Sequence, residues 1–530
     1  MKLIAPINRL LLFSFLIVSI FFLFHEVIWQ NVYIISNSDL LYVPSFTRDF
    51  SEGIYNWKLW VLPPAPSFFP DLFFSFIVSF ISSNLVVSNT IYGTLFAIVL
   101  IFSTTSIFRL TDEFFSFEQI VRVVTLGYAL FFFILSFYPK DIGLFLVPSY
   151  HGSSFLFSII LYSLIFKTNK KNKKYLFFLI SVLAIMSDKQ IFYTFYFPFI
   201  VTSVIMRNDS TEKYYLKTSV YLIISFLIAA LVLKILSLLG IFQIPTIPIW
   251  TEFKKNVFQL KVIQNIQLSL PEMRNYFIDF YGDKFLLFCL FFFSIGFNLY
   301  YSLPISKAQY GIRFLSQIIL WIYFFSIFSQ MFFGIWGGFR YMWAIYLLPY
   351  LSIFYYTGNA ISKSLSNLEL RNAGSIKRFS FYRNKTWSQN FLLGFNILFI
   401  FIFGYFFISN KNLKISLDTP YPPFVSCLDR IKERSNLFYG LSDYWNAKHI
   451  RYLSRKNLIV NQVFANLERY DWVHNREWYE KDRYGNPIQY NFIIPERLDR
   501  MKIETRFGKP NLIEECEGKE IFIYERGFHY

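Results

Sequence analysis

Charged residues are in short supply. They make up 16% of the 530 positions, against about 25% in soluble proteins. A water-soluble fold of this size is therefore excluded. Cysteine is scarcer still: Cys289, Cys427 and Cys516, with no Cys-x-x-Cys spacing. That excludes a structural zinc site or thiol redox motif of ordinary spacing. There is no internal repeat, and no low-complexity tract beyond a general enrichment in phenylalanine. After the apolar run Leu10 to Phe24 no small-x-small cleavage site follows. The run reads as an uncleaved first span with a cytoplasmic N-terminus, not as a signal peptide.

What is present is apolar and basic. Hydrophobic residues make up 55% of the chain, aromatic residues 22%, and mean hydropathy is +0.40. Long apolar runs with so few charges imply a polytopic membrane protein. Spans are expected near 9–29, 88–109, 119–138, 148–166, 174–187, 190–206, 218–240, 285–302, 313–333, 339–357 and 390–409, about eleven in all. The net charge of +17 could point to nucleic acid, but the basic residues cluster between apolar runs. Topology accounts for them better. With the N-terminus inside, inner loops collect Lys167, Lys170, Lys171, Lys173 and Lys174, then Arg207, Lys213 and Lys217. A later inner loop holds Lys363, Arg371, Lys377, Arg378, Arg383 and Lys385. The expected class is a mainly α membrane helix bundle over 1–409, with an extracytoplasmic loop at 30–87. Residues 410–530 carry 20 basic and 17 acidic residues and no run long enough to span. They are expected to form a soluble extracytoplasmic α/β domain, with helices near 424–434 and 495–507 and strands near 458–463, 490–494 and 520–524.

Within the first loop, Asn37 to Asp71 holds Asp39, Asp49 and Asp71, five prolines and two tryptophans. Proline restricts such a loop to few shapes. The segment 70–83 is too short to span. Pro70 suits a first helical position and Asp71 a helix N-terminus, so a helix lying at the outer interface is expected.

On the same face the reading puts Lys140, Asp141 and His151 before the fourth span, Asp188 and Lys189 at a hairpin tip, and Arg340. Acids that accept a proton then share a face with cations that hold an anion. This suits transfer from a phosphate-bearing lipid: a carboxylate takes a proton from an acceptor hydroxyl, and Arg or Lys stabilises the departing phosphate. Plainer roles stand beside each reading. Asp39 could cap a turn, Asp49 could be a surface acid beside Arg48, and Asp71 could serve a helix terminus. His151 could cap or pack, Asp188 and Lys189 could form a polar turn, and Arg340 and Lys234 could snorkel. His25 and Glu26 could end the first span. In the tail, Tyr444, Trp445, Trp472, Trp478 and Tyr479 could stack on sugars or fill a core. Cys427 and Cys516 could pair in an oxidising compartment or remain two buried thiols.

The layout resembles the GT-C superfamily of polyprenyl-phosphate-sugar-dependent glycosyltransferases, which includes protein O-mannosyltransferases and lipid A aminoarabinose transferases. The likeness lies in a first span, an acidic outer loop with an interfacial helix, about eleven spans and an outer domain. Asp39, in Ser38-Asp39-Leu40, falls where that group carries its catalytic acid, often as an adjacent Asp-Glu pair. The stretches SDLLYVPSFTRDF, WVLPPAPSFFPD, PSYHGSSF and SDKQIF also look like a set of bacterial membrane proteins of undefined substrate. The resemblance implies a bacterial cytoplasmic-membrane enzyme that moves a sugar from a polyprenyl phosphate to a lipid, glycan or protein acceptor, with inversion. Asp39 is then the general base and Asp49 an orienting or metal-binding acid. Arg340 and then Lys189 would clamp phosphate, with Asp71, His151 and Asp188 around the substrate. Metal use stays open, since no ligand cluster declares a divalent cation. A transporter or flippase of lipid-linked glycan and a non-catalytic assembly protein are the alternatives. A transporter would favour midplane charges and repeated halves, which the sequence lacks.

Overall fold

Apolar runs of this length satisfy their backbone groups by coiling into helices. The computed structural model describes residues 4–29, 37–111, 117–136, 142–165, 171–206, 212–244, 261–281, 285–303, 310–333, 347–349, 352, 405, 418 and 421–530. Helix α1 (Ile4–Phe24) runs into a π-helical turn, His25–Trp29. The first loop contains α2 (Tyr42–Glu52), the short strand β1 (Trp60–Val61), a π-helical turn at Phe68–Leu72 and α3 (Phe73–Ser79). Then come α4 (Leu85–Thr111), α5 (Phe117–Leu135), α6 (Gly152–Ile165), α7 (Lys171–Ser187) and α8 (Phe197–Ile205). The remaining long helices are α9 (Glu212–Leu238), α10 (Lys261–Tyr281), α11 (Phe285–Ser302) and α12 (Tyr310–Phe333).

Among the described residues, three stretches are long and apolar enough to cross a membrane: Leu85–Arg109, Lys217–Leu238 and Gly311–Ser329. Other apolar helices are shorter, as at Leu12–Phe24, Gly152–Ile165 and Phe192–Ile205. The turn at 147–151 precedes α6, and the π-helical turn Phe192–Tyr196 precedes α8. The expected spans near 339–357 and 390–409, and Arg340, lie outside the described residues. Pairs such as α1 with α5, α4 with α6, and α7 with α9 pack together. Helix α9 keeps Val220, Ile223, Leu227 and Leu231 more than half exposed, a lateral apolar surface that would be costly in water. An apolar cavity between α4, α6 and α12 is lined by Phe108, Phe155, Ile159, Leu315, Ile319 and Ile322 among others.

One feature of the first loop differs from the reading above. Helix α2 was expected as irregular loop. Proline at its first turn needs no N–H partner, and Tyr42, Val43, Phe46 and Phe50 recur at helical spacing. Gly53, at φ 63°, ends it in the left-handed region, where glycine carries no Cβ penalty. The short helix is as expected in its start: Phe69 is extended, at φ −137° and ψ 136°, and helical backbone runs from Pro70 through the π-helical turn into α3.

The tail is an α/β unit: α13 (Pro423–Ser435), β2 (Tyr439–Ser442), α14 (Tyr444–Leu453), β3 (Ile459–Gln462), β4 (His474–Asn475), β5 (Tyr490–Ile493), α15 (Arg500–Phe507), β6 (Leu512–Cys516) and β7 (Lys519–Phe528). Five strands form one mixed sheet in the order β3-β2-β5-β7-β6. Strand alternation builds two cores. Ile521 and Ile523 join Val425, Leu428 and Ile450 beneath α13 and α14, while Phe522 and Tyr524 join Leu441, Ile493 and Ile503 on the α15 side. Cys427 on α13 and Cys516 on β6 are joined by a disulfide, so the two-thiol alternative does not hold.

The tail docks on the first loop. Strand β1 pairs antiparallel with β4 through Trp60 opposite Asn475 and Val61 opposite His474. Trp60 and Trp478, both fully buried, meet edge-on at 5.0 Å. Arg48 of α2 lies 5.0 Å from the Tyr452 ring of α14.

Candidate functional site

Helix α14 organises the seam between loop and tail. Asp443 caps it by accepting from Trp445 N at 2.9 Å, an ordinary N-cap. The helix then sets out Tyr444, Lys448 and Arg451 at spacings of four and three, which share one face. Tyr444 donates its hydroxyl to Asp39 Oδ1, and Lys448 lies close enough to Asp39 to feel its charge. Arg451 stands in the same relation to Asp49. Ser38 Oγ donates to the Tyr444 carbonyl, fixing the residue before Asp39.

Asp39 is half-buried. Its backbone carbonyl accepts from Ser149 Oγ at 3.1 Å. Ser149 and His151 have φ of 68° and 66°, a left-handed conformation that L side chains rarely hold without support. The support is local. Ser149 N donates to Asp71 Oδ2 at 2.9 Å, and Ser154 Oγ donates to the His151 carbonyl at 2.7 Å. A Cβ at Gly152 would meet the Phe145 carbonyl oxygen at 2.0 Å, so only glycine fits this close approach. The strained turn holds His151 Nδ1 2.9 Å from Asp188 Oδ2, and Asp188 Oδ1 accepts from Gln190 N. His151 is 16% exposed, Asp188 only 1%, so the pair presents an imidazole edge backed by a buried carboxylate. Lys189 beside it is partly buried, and that burial lowers its proton affinity, while Asp188 opposes the shift.

Asp71 is buried and richly bonded. Tyr92 Oη donates to Oδ1, and Ser149 N and, at 3.4 Å, Ser153 Oγ donate to Oδ2. Burial still pushes its pKa up to about 6. Asp49 accepts from Trp60 Nε1 at 3.0 Å and Asn475 Nδ2 at 3.2 Å. Burial pushes it to about 6 as well, against the pull of Arg451 and Arg48.

Asp39, Asp71, His151, Asp188 and Lys189 thus gather around the 147–151 turn and the hairpin tip. Asp49 sits farther along the α14 seam. Arg340, Lys140, Asp141 and the Glu26 side chain lie outside the described residues, and His25 is buried beside Trp29. No group of three metal-ligating side chains occurs among the described residues. Tyr444, Lys448, Arg451, Ser149 and Tyr92 were not singled out as partners of the acids. The one local signal was the cap-and-helix pattern Asp443-Tyr444-Trp445. Trp478 and Tyr479 fill the core, whereas Trp445 is 47% exposed.

Lys448 is 1% exposed, and its Nζ has no hydrogen-bond partner among the described residues. Burial depresses its pKa to about 7, opposed by Asp39. His474 is equally buried, with neither ring nitrogen partnered among the described residues, and its proton affinity falls well below the usual range through burial and the nearby Lys448, Arg451 and Arg469.

No family model matches the chain, and no curated protein or solved structure is significantly similar to it.

Proposed function

We propose that this chain is an integral-membrane glycosyltransferase of GT-C type. It moves a sugar from a polyprenyl-phosphate donor to an acceptor on the extracytoplasmic side, with Asp39 as general base. The observation that carries this reading is Asp39 itself. It is a half-buried carboxylate gripped by Tyr444 from the tail, beside a strained turn that presents the His151–Asp188 pair. Strain held this firmly at a polar cluster is a mark of functional sites.

In this reading Asp39 accepts the proton of an acceptor hydroxyl. The freed oxygen attacks the anomeric carbon, and the bond from that carbon to the phosphate oxygen breaks. Polyprenyl phosphate leaves with the bonding pair and the configuration inverts. Lys189 and Arg340 neutralise the departing phosphate, and His151, oriented by Asp188, donates to it or to the sugar. The apolar cavity between α4, α6 and α12 suits part of an isoprenoid tail. Asp71 and Asp49 hold the loop in shape.

Topology is part of the proposal. The first loop and the tail pack on each other, so they belong on one side of the membrane in any topology. An even number of spans must then separate them, and eleven spans leave ten. The Cys427–Cys516 disulfide favours the oxidising, extracytoplasmic side.

The test is release of free polyprenyl phosphate from a polyprenyl-phosphate sugar by the full chain in proteoliposomes. Acceptor-dependent release supports the reading. Movement of the intact lipid-linked sugar across the bilayer without cleavage would replace it with transport.

A further inference from the structure

Four aromatic rings form a connected series beside Asp39. Trp445 meets Tyr444 edge-on at 5.0 Å, Tyr444 meets Tyr470 at 5.4 Å, and Tyr470 stacks on Phe464 at 4.1 Å. The series is exposed at both ends: Trp445 is 47% and Phe464 44% exposed. Its middle is tied to the candidate base, since Tyr444 donates to Asp39 and Tyr470 feels the Asp39 carboxylate. Neither exposed ring is needed for the tail's core, which α13, α14 and the sheet complete without them.

Exposed aromatics flanking a carboxylate are poorly suited to water and well suited to a ligand with alternating apolar and hydroxyl faces. A pyranose ring is such a ligand. Its axial C–H groups lie against an aromatic face, attracted by the negative π-cloud, while its hydroxyls reach polar groups at the ring edges. Polar groups are at hand around Trp445: Asp443, Asn446 and Glu496 form a hydrogen-bonded cluster, with Lys519 on Glu496.

We propose that Trp445, Tyr470 and Phe464 form a saccharide-binding platform that leads an acceptor glycan to Asp39. The stacking itself stands on ring geometry and exposure; its role as acceptor subsite rests on the transferase reading. A glycan acceptor would then lie along the outer face of α14, with the hydroxyl to be modified directed at the Asp39 carboxylate. This favours a saccharide over a protein or a bare lipid as the acceptor.

The full chain in lipid nanodiscs is titrated with chitotriose, cellotriose and mannotriose, followed by saturation-transfer NMR on the sugar protons. At least one trisaccharide is expected to bind. Trp445→Ala and Phe464→Ala, both at exposed positions, should each weaken it about two- to ten-fold, and Trp445→Phe should restore most of the loss. Unchanged thermal unfolding of both alanine variants checks the fold. Binding of none of the three sugars, or binding indifferent to both alanine variants, would overturn the platform. So would loss of vesicle association by Trp445→Ala with no effect on sugar, which would make Trp445 a membrane anchor. Asp39→Asn separates the two claims. Sugar binding that survives with transfer lost supports both. Transfer at the wild-type rate with sugar still bound sinks the base and keeps the platform. Transfer lost with no sugar bound by any variant sinks the platform alone.

Discussion

The Tyr444 hydroxyl donates to Asp39 Oδ1 across 405 positions of sequence, joining a residue of the tail domain to the loop after the first helix. A phenol held on a carboxylate fixes its rotamer and competes for one of its lone pairs. Tyr444→Phe removes that bond and keeps the ring. Misplacing a catalytic group by about 1 Å can cost about 10²-fold, so kcat/KM should fall about ten- to hundred-fold. The tail's unfolding temperature, read by circular dichroism, should barely change.

Asp71 answers three donors in a buried site. Asp71→Ala leaves Tyr92 and Ser149 N–H without an acceptor and should destabilise the chain by about 2–5 kcal/mol, read by thermal unfolding in detergent. Asp71→Asn keeps an acceptor oxygen and should cost far less. The folded chain holds the Asp71 proton up to about pH 6, whereas an unfolded aspartate loses it near pH 3.9. Between these values the native state binds more protons, so stability falls as pH rises from about 4 to 6. Asp71→Asn should flatten that part of the profile.

Lys448 gives the opposite slope. In the folded chain it titrates near 7, and an unfolded lysine near 10.4. Between the two the unfolded chain binds the proton, so stability rises with pH; below about 7 the full cost of a buried ammonium is present. Asp39, Tyr444 and His474 face it, and Asp39 softens the cost. Lys448→Met should raise stability at pH 7 by about 1–4 kcal/mol and remove the rise between pH 7 and 9.5. A variant as pH-dependent as the parent would contradict the buried, unpartnered ammonium.

The Cys427–Cys516 bridge closes 89 positions of the tail. Replacing both residues with serine should cost about 2–4 kcal/mol. The parent should migrate faster on a non-reducing gel than after reduction, and the double variant should not respond. Free thiols labelled in the untreated parent at both positions would contradict the bridge.

The mainly helical class and the C-terminal sheet region were legible in the sequence because they follow from bulk properties. Few charges and long apolar runs give helices, and the charge balance of 410–530 gives a separate α/β unit. The strands near 459, 490 and 520 were readable from β-branched and aromatic runs. Span counting was less secure, because the expected span 148–166 opens on a turn at 147–151 and coils into α6 only from Gly152. Helix α2 was hidden by Pro44, which suggests a loop yet sits harmlessly in a first turn. The acids of the first loop stood out, but their partners did not. Tyr444, Lys448 and Arg451 lie some four hundred residues away, and nothing local marks Lys448 as buried. Asp49 and Asp71 drew attention as carboxylates on a shaped loop; in the fold both are enclosed by neutral donors, the usual company of a carboxylate that holds structure.

The central claim is that Asp39 is the base, and one comparison tests it most directly. Wild type, Asp39→Asn and Asp71→Asn are reconstituted in equal amounts, and kcat is measured for sugar transfer from polyprenyl phosphate at saturating donor. Asp39→Asn should lose about 10²–10⁴ in rate with its fold intact, while Asp71→Asn stays within about ten-fold of wild type. Transfer by Asp39→Asn at the wild-type rate would contradict the account.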